Sequence, residues 1–383
     1  MLGRRVCVRS FSLFLFVAIA TLAVGCAGGS GHRSTAGRTD PKPHHPRRRT
    51  TTVSSTAGLF AHPLTRPHLA PGSDPSVLPG DVLIADRSND RLLVVDPRGR
   101  IVWRFPRPGH RGLPVPDDAF FSPDGRKIVA TEEDVSAVTV IDLATRRIVY
   151  RYGEIGVPGS APNHLSNPDD AMLLPNGSIV LADIKNCRLL LLRPPSHRPT
   201  QELGGPVQGC SHAPPRAWGS PNGAFPLRAG GVLVTEINGD WVDAVALNGR
   251  VLWSTHPPGV SYPSDSNEVR PGLYVTVAWQ SPGILETFDR LGRLHWRYRP
   301  RAGDPPLNQP SLAEPLPNGD FLVTDDFNDR VIVIDPHTNR VVWQYGHTGN
   351  PGRAPGYLSR PDGVDLAPPA ALLTRIQARI RFR

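Results

Sequence analysis

An all-β fold is predicted for this 383-residue chain by three features: 43 prolines with 37 glycines, an internal repeat of about 50 residues, and a proline that opens each copy. That much proline and glycine suits many short strands joined by turns, and it excludes a helical bundle. The marker prolines are Pro116, Pro168, Pro221, Pro263, Pro310 and Pro361, spaced 52, 53, 42, 47 and 51 residues apart. Four short strands in a unit of this length predict a six-bladed β-propeller spanning residues 76–367.

The units justify that prediction in order. The first carries Gly80, Asp86, Asn89, Arg91, Asp96 and Trp103 as a glycine turn, a strand, a D-x-x-N-x-R turn, a second strand and a strand ending in an aromatic residue. The second keeps the frame through Gly125, Asp142 and Tyr150, and the third through Gly177, Asp183, Asn186 and Arg188, with Leu203 at the aromatic position. Gly231, Leu247 and Trp253 mark the fourth unit, and Gly272, Asp289 and Trp296 the fifth. The sixth repeats the full pattern with Gly319, Asp325, Asn328, Arg330, Asp335 and Trp343. The first unit begins at its turn without an inner strand, whereas Pro361–Asp365 resembles an inner strand with no unit behind it. A C-terminal strand is therefore expected to complete the first blade and remove an open sheet edge. Asp and Asn of each triplet are expected to bond the turn backbone, and Arg91, Arg188 and Arg330 to pair with acids of neighbouring blades. The closing aromatics are expected to pack between blades.

The ends of the chain differ in composition. Residues 1–25 combine three arginines with an apolar run from Phe11 to Val24, too short to span a bilayer, and are expected to be a secretory signal. Residues 26–75 are expected to form a disordered basic tether, because the stretch to Gly58 has almost no apolar side chain to bury. Residues 368–383 form a basic tail with Leu372, Leu373, Ile376 and Ile380 at helical spacing. The net charge of +9 resides at these ends, with +3 on 1–25, +5 on 27–58 and +4 on 368–383, so residues 59–367 carry −3. An acidic body argues against nucleic acid as a partner.

Several resemblances follow from these residues. Leu22, Ala23, Val24, Gly25 and Cys26 resemble a bacterial lipobox. The resemblance implies cleavage after Gly25, diacylation of the Cys26 thiol, and a lipid-anchored protein on the extracytoplasmic side of the cell membrane. Units one, three and six resemble NHL repeats, and the endings at Trp103 and Trp343 are similar to the tryptophan motif of PQQ-like propellers. The segment from Ser122 through Asp142 resembles the YVTN type. The segment Asp169–Gly177 resembles the inner-strand-to-turn pattern of bacterial arylsulfotransferases, six-bladed relatives whose histidines do the chemistry. Here Pro168 and Asp169 stand where a histidine pair would be expected. Sequence signatures of PQQ dehydrogenases, nucleophile elbows, zinc proteases and Walker loops are absent.

In a four-stranded blade, the turns between strands two and three share one face with the links between blades. That face receives Cys187 and Cys210, which are expected to form a disulfide in an oxidising compartment, stabilising by roughly 3 kcal/mol in the chain-entropy model. It also receives His110, His164, His212, His256 and His347, candidate acid–base or metal-ligating groups. Trp218, Tyr262, Arg216 and Trp279, with Trp241 and Phe327, are candidate binding residues there. Asp117, Asp118, Asp169, Asp170, Asp265 and Asp362 follow or adjoin the marker prolines near the axis. Asp118, Asp170 and Asp362 are candidate ligands for Ca²⁺ in an oxygen-lined channel, with turn chemistry as the other reading. No other cofactor is expected. The functional expectation is a binding or scaffold module for a protein, peptide or glycan. The alternative is a hydrolase, lyase or transferase using His164, His212, His256 or His347, which requires several of these side chains to converge.

Overall fold

The computed structural model describes residues 62–110 and 112–369, which form six four-stranded antiparallel sheets. The expected signal, Cys26, the tether up to residue 61 and the tail from residue 370 lie outside the described residues. The sheets are the six blades. Their inner strands are Pro361–Leu366, Ala119–Phe121, Pro168–Leu173, Pro221–Pro226, Pro263–Arg270 and Ala313–Pro315, for blades one to six. These inner strands touch their neighbours all the way round, so the ring closes.

Closure uses the strand that the repeat count left over. Pro361–Leu366 pairs antiparallel with Val82–Asp86, Ile84 lying opposite Val364 and Val82 opposite Leu366. Every residue of Val82–Asp86 and of its other neighbour, Arg91–Val95, is buried. Each blade is covered on both faces by other blades, which is why these strands are nearly continuous apolar runs rather than alternating ones.

The closing aromatics reach the next blade. Trp103 Nε1 donates to Leu143 O at 3.0 Å, Tyr150 Oη to Ser196 O at 2.7 Å, and Trp343 Nε1 to Pro97 O at 2.8 Å. Trp253 packs on Tyr274 and Trp296 on Phe321, again one blade further on. Leu203 takes the position in blade three and is buried.

Residues 64–74, which the sequence reading places in the tether, are part of the fold. Leu64 N and His68 N donate to Ile101 O and Gly99 O in blade one, and Ala70 N and Asp74 N to Gln344 O and Val342 O in blade six. The segment straddles the outer strands on either side of the seam, supplying partners to an edge that would otherwise face water. Gly99 is required there, since its φ is +71° and a Cβ would lie 2.6 Å from Leu69 Cδ2.

An acid pair brackets the closing strand. Leu366 N donates to Glu314 Oε2 at 2.8 Å and Phe121 N to Asp365 Oδ2 at 2.6 Å. Burial pushes Glu314 up to about 7, and burial with Glu314 nearby pushes Asp365 up as well. A carboxyl whose pKa is raised on folding holds its proton more tightly in the native state, so its contribution weakens as pH rises from about 4.5 to about 7. Glu314→Gln is therefore expected to raise the melting temperature at pH 8 and leave it unchanged at pH 4. An equal shift at both pH values in thermal melts would refute this.

Candidate functional site

The residue before each marker proline has a left-handed backbone: Val115, Asn167, Ser220, Tyr262, Gln309 and Arg360, with φ between +47° and +55°. Such angles are costly for side chains other than glycine. Three of the joints show what offsets the cost. Val115 N donates to Asp90 Oδ1 at 2.9 Å, Tyr262 N to Asp240 Oδ1 at 2.8 Å, and Arg360 N to Asp329 Oδ1 at 3.1 Å. In each case a turn carboxylate of the preceding blade holds the start of the next one.

The D-x-x-N-x-R triplets act in the same way. Asp183 Oδ2 accepts from Asn186 Nδ2 and Arg188 Nε at 2.8 Å each, while Oδ1 accepts from Ser166 N of the incoming link at 2.7 Å. Arg188 also donates to Ser160 O and His164 O of that link. Asp86 and Asp325 repeat the arrangement with Arg91 and Arg330. The expectation that these arginines pair with acids of neighbouring blades is corrected. Each pairs with its own motif's aspartate, which the hairpin register places directly opposite.

Around the axis the marker prolines deliver a ring of buried acids. One ligand atom from each of Asp118, Asp170 and Asp265 lies within 4.8 Å of the others, and the same holds for Asp117, Asp118 and Asp169. Among the described residues, Asp118 Oδ1, Asp170 Oδ1 and both oxygens of Asp265 have no hydrogen-bond partner. Burial, then neighbouring carboxylates, push Asp118, Asp169, Asp170 and Asp265 well above the usual carboxylate range. Gly223 and Gly363 leave room for the cluster, since a Cβ on either would come within 2.7 Å of Asp265 or Asp118. Clustered oxygen donors without partners fit a hard divalent cation such as Ca²⁺.

Asp362, the third candidate ligand named from the sequence, is in neither of these groups. Its carboxylate accepts from Arg87 Nη1 at 2.9 Å. The same guanidinium contacts Asp117, and it meets Glu133 and Asp134 at 2.9 and 3.2 Å. Arg87 caps the channel mouth, and sequence reasoning missed it because its partners lie up to 275 residues away.

An aromatic strip runs beside this mouth over blades four to six. Tyr262 is 38% exposed and lies 5.4 Å from Trp279, which is 6.0 Å from Phe327, and Arg360 covers the Phe327 ring at 4.5 Å. Burial, with Asp169, Glu133 and Asp362 nearby, pushes the Tyr262 phenol up to about 12. Arg360 was also missed, although its position before a marker proline matches that of Tyr262. Arg216 is exposed. Trp218 is not a surface residue. It is fully buried, and its Nε1 donates to Leu203 O at 3.0 Å, filling the gap between blades three and four.

The histidines scatter. Among the described residues no candidate metal group holds more than one of them. His110 is exposed, His164 Nδ1 lies 3.2 Å from Pro162 O, and His347 stacks on Tyr357 at 4.1 Å. His212 and His256 both pack on the Trp241 ring, with ring centroids 4.3 and 3.7 Å away. His212 meets two buried carboxylates, with Nδ1 3.0 Å from both Glu236 oxygens and 3.8 Å from Asp243 Oδ2, while His164 Nε2 lies 3.8 Å from the exposed Glu154. Cys187 and Cys210 are disulfide-bonded on the link side, with Cα atoms 5.1 Å apart. Away from the axis, a cavity of about 260 Å³ on blade one's rim is lined by Arg91, Arg104, Arg107 and Arg353 among others.

No family model matches the chain, and no curated protein does. Among solved structures, a protein of unknown function from Bacteroides caccae aligns with a TM-score of 0.53 at 16% identity, covering 75% of this chain and 98% of that one. A chain of a nidogen/laminin complex aligns equally well at 14% identity, with the same coverage. A streptogramin B lyase structure reaches 0.46 at 13% identity, covering 63% of this chain and 72% of that one. At such identities the first two likenesses establish a shared fold, and the chain is a six-bladed β-propeller.

Proposed function

We propose that this chain is an envelope-anchored binding or scaffold module, of NHL and PQQ-like repeat character, that engages a protein, peptide or glycan on its link face. The observation that carries the reading is the strip Tyr262, Trp279, Phe327 and Arg360 beside an acid-lined channel mouth. Aromatic rings offer large contact area at small entropic cost, and they stack on sugar rings or on peptide side chains alike. The Arg87-capped acids beside them give the ligand a charged reference point. The lipobox-like Cys26 supplies the anchor, residues 27–61 the reach, and Ca²⁺ between Asp118, Asp170 and Asp265 would make the mouth rigid. The catalytic alternative has less support, because among the described residues no group of convergent ligating side chains holds more than one of His164, His212, His256 and His347.

Peptide and glycan arrays probed with the chain lacking residues 1–26 test this. Ligands bound by the wild type are expected to lose at least tenfold in affinity with Tyr262→Ala/Trp279→Ala, about 1.4 kcal/mol. Unchanged affinity in that variant, with an unchanged melting temperature, refutes the link-face reading.

A further inference from the structure

Comparing the acid positions blade by blade isolates blade four. In blades one, three and six the aspartate at the end of the second strand is matched by an arginine directly opposite on the third: Asp86 with Arg91, Asp183 with Arg188, Asp325 with Arg330. Blades two and five use a second arrangement, with an arginine on the outer strand. Arg151 lies opposite Thr139 and 3.6 Å from Glu132, and Arg297 lies opposite Glu286 with Nε 2.7 Å from its carboxylate. Every one of these five buried acids has a guanidinium.

Blade four keeps acids at both positions and an arginine at neither. Glu236 lies opposite Trp241 where the first arrangement has arginine, and Asp243 lies opposite Ser254 where the second has it. Both carboxylates are fully buried. Glu236 accepts from Gly219 N, but among the described residues neither oxygen of Asp243 has a hydrogen-bond partner. Two adjacent buried carboxylates without a guanidinium are expensive, and among the described residues the basic side chain within 4 Å of them is His212.

We propose that His212, Glu236 and Asp243 bind a divalent transition metal of the Zn²⁺ class. One donor atom from each lies within 4.8 Å of the other two. Ligands about 2.0 Å from a tetrahedral ion sit about 3.3 Å apart. The observed 3.0 Å from His212 Nδ1 to Glu236 and 3.8 Å to Asp243 bracket that spacing. A nitrogen with two carboxylates suits a first-row divalent metal better than Ca²⁺, which takes oxygen ligands. Trp241, stacked on the imidazole with ring centroids 4.3 Å apart, restricts the orientation of the ring. Three protein ligands leave a fourth position, and the part-exposed edge of His212 opens the site to the link face. The site lies in blade four's sheet and link, apart from the axial acids, and does not depend on the binding reading above.

The experiment is calorimetric titration of the chelator-treated chain with ZnCl₂, with Co²⁺ absorption as a readout that needs no variant. The expected result is one tight site and the visible spectrum of four-coordinate Co²⁺. Asp243→Asn and the less buried His212→Gln are each expected to weaken it by more than the roughly 10–100-fold that loss of an outer partner costs. Asp170→Asn in the channel is expected to leave it intact. Failure of the wild type to bind, or loss of binding in Asp170→Asn rather than in His212→Gln, overturns the proposal. The first outcome means that Glu236 and Asp243 share a proton instead.

Discussion

Ending the chain at Arg360 is expected to abolish cooperative folding and leave a species that self-associates. The deletion removes the inner strand of blade one, so Val82–Asp86, buried at every position, becomes an unpaired apolar edge. It also removes Val364, part of the core between blades one and six, and the bonds from Gly363 N to Asp117 O and from Leu366 N to Glu314. Each of these ties the first blade to a neighbour. Burial of one valine or leucine stabilises by about 1.5–3 kcal/mol. Losing several at once, with a ladder of backbone bonds, is comparable to the whole stability of a domain, about 5–15 kcal/mol. An open, untwinned strand edge then templates pairing with another copy. Size-exclusion chromatography and thermal melts check this, and a peptide of residues 361–369 added in trans is expected to restore monomer. A monomeric truncation that melts like the full chain would refute it.

Arg188→Ala is expected to destabilise the protein by about 3–5 kcal/mol, because it strands the buried Asp183 carboxylate. The arginine is 2% exposed and donates to Asp183, Glu202, Ser160 O and His164 O, so its removal also frees two link carbonyls. Burial already pushes Asp183 up, and Arg188 is the main opposing influence. Arg188→Lys is expected to recover only part of the loss, since an ammonium cannot span the fork that guanidinium bridges. Arg198→Ala, at an exposed position without side-chain partners among the described residues, is expected to change stability by less than about 0.5 kcal/mol. Denaturant melts of the three variants provide the check. Equal stability of Arg188→Ala and Arg198→Ala would show that the triplets do not hold the links.

Local order made much of this legible. The blade count, the orphan strand at Pro361, the shared face of Cys187 and Cys210, and the axial placement of Asp118 and Asp170 all follow from strand periodicity and turn residues. The pairing of Asp86 with Arg91 was also readable in principle, since five residues across a tight hairpin bring the two side chains opposite each other. The site residues fared differently. Trp218 sits in a link and belongs, by type, on a binding surface. Only the approach of Leu203 O, fifteen residues away, makes it a filler of the interblade gap.

Strand number and the order of the blades were therefore determined by the sequence alone, because each unit repeats a pattern that is meaningful within a few residues. Which charges meet was decided by tertiary structure. Arg87 claims Asp362 from the far end of the chain, leaving Asp265 to join Asp118 and Asp170, and blade four lacks the guanidinium that its neighbours have. Electrostatic partnership depends on distance and burial in three dimensions, and neither is encoded by spacing along the chain.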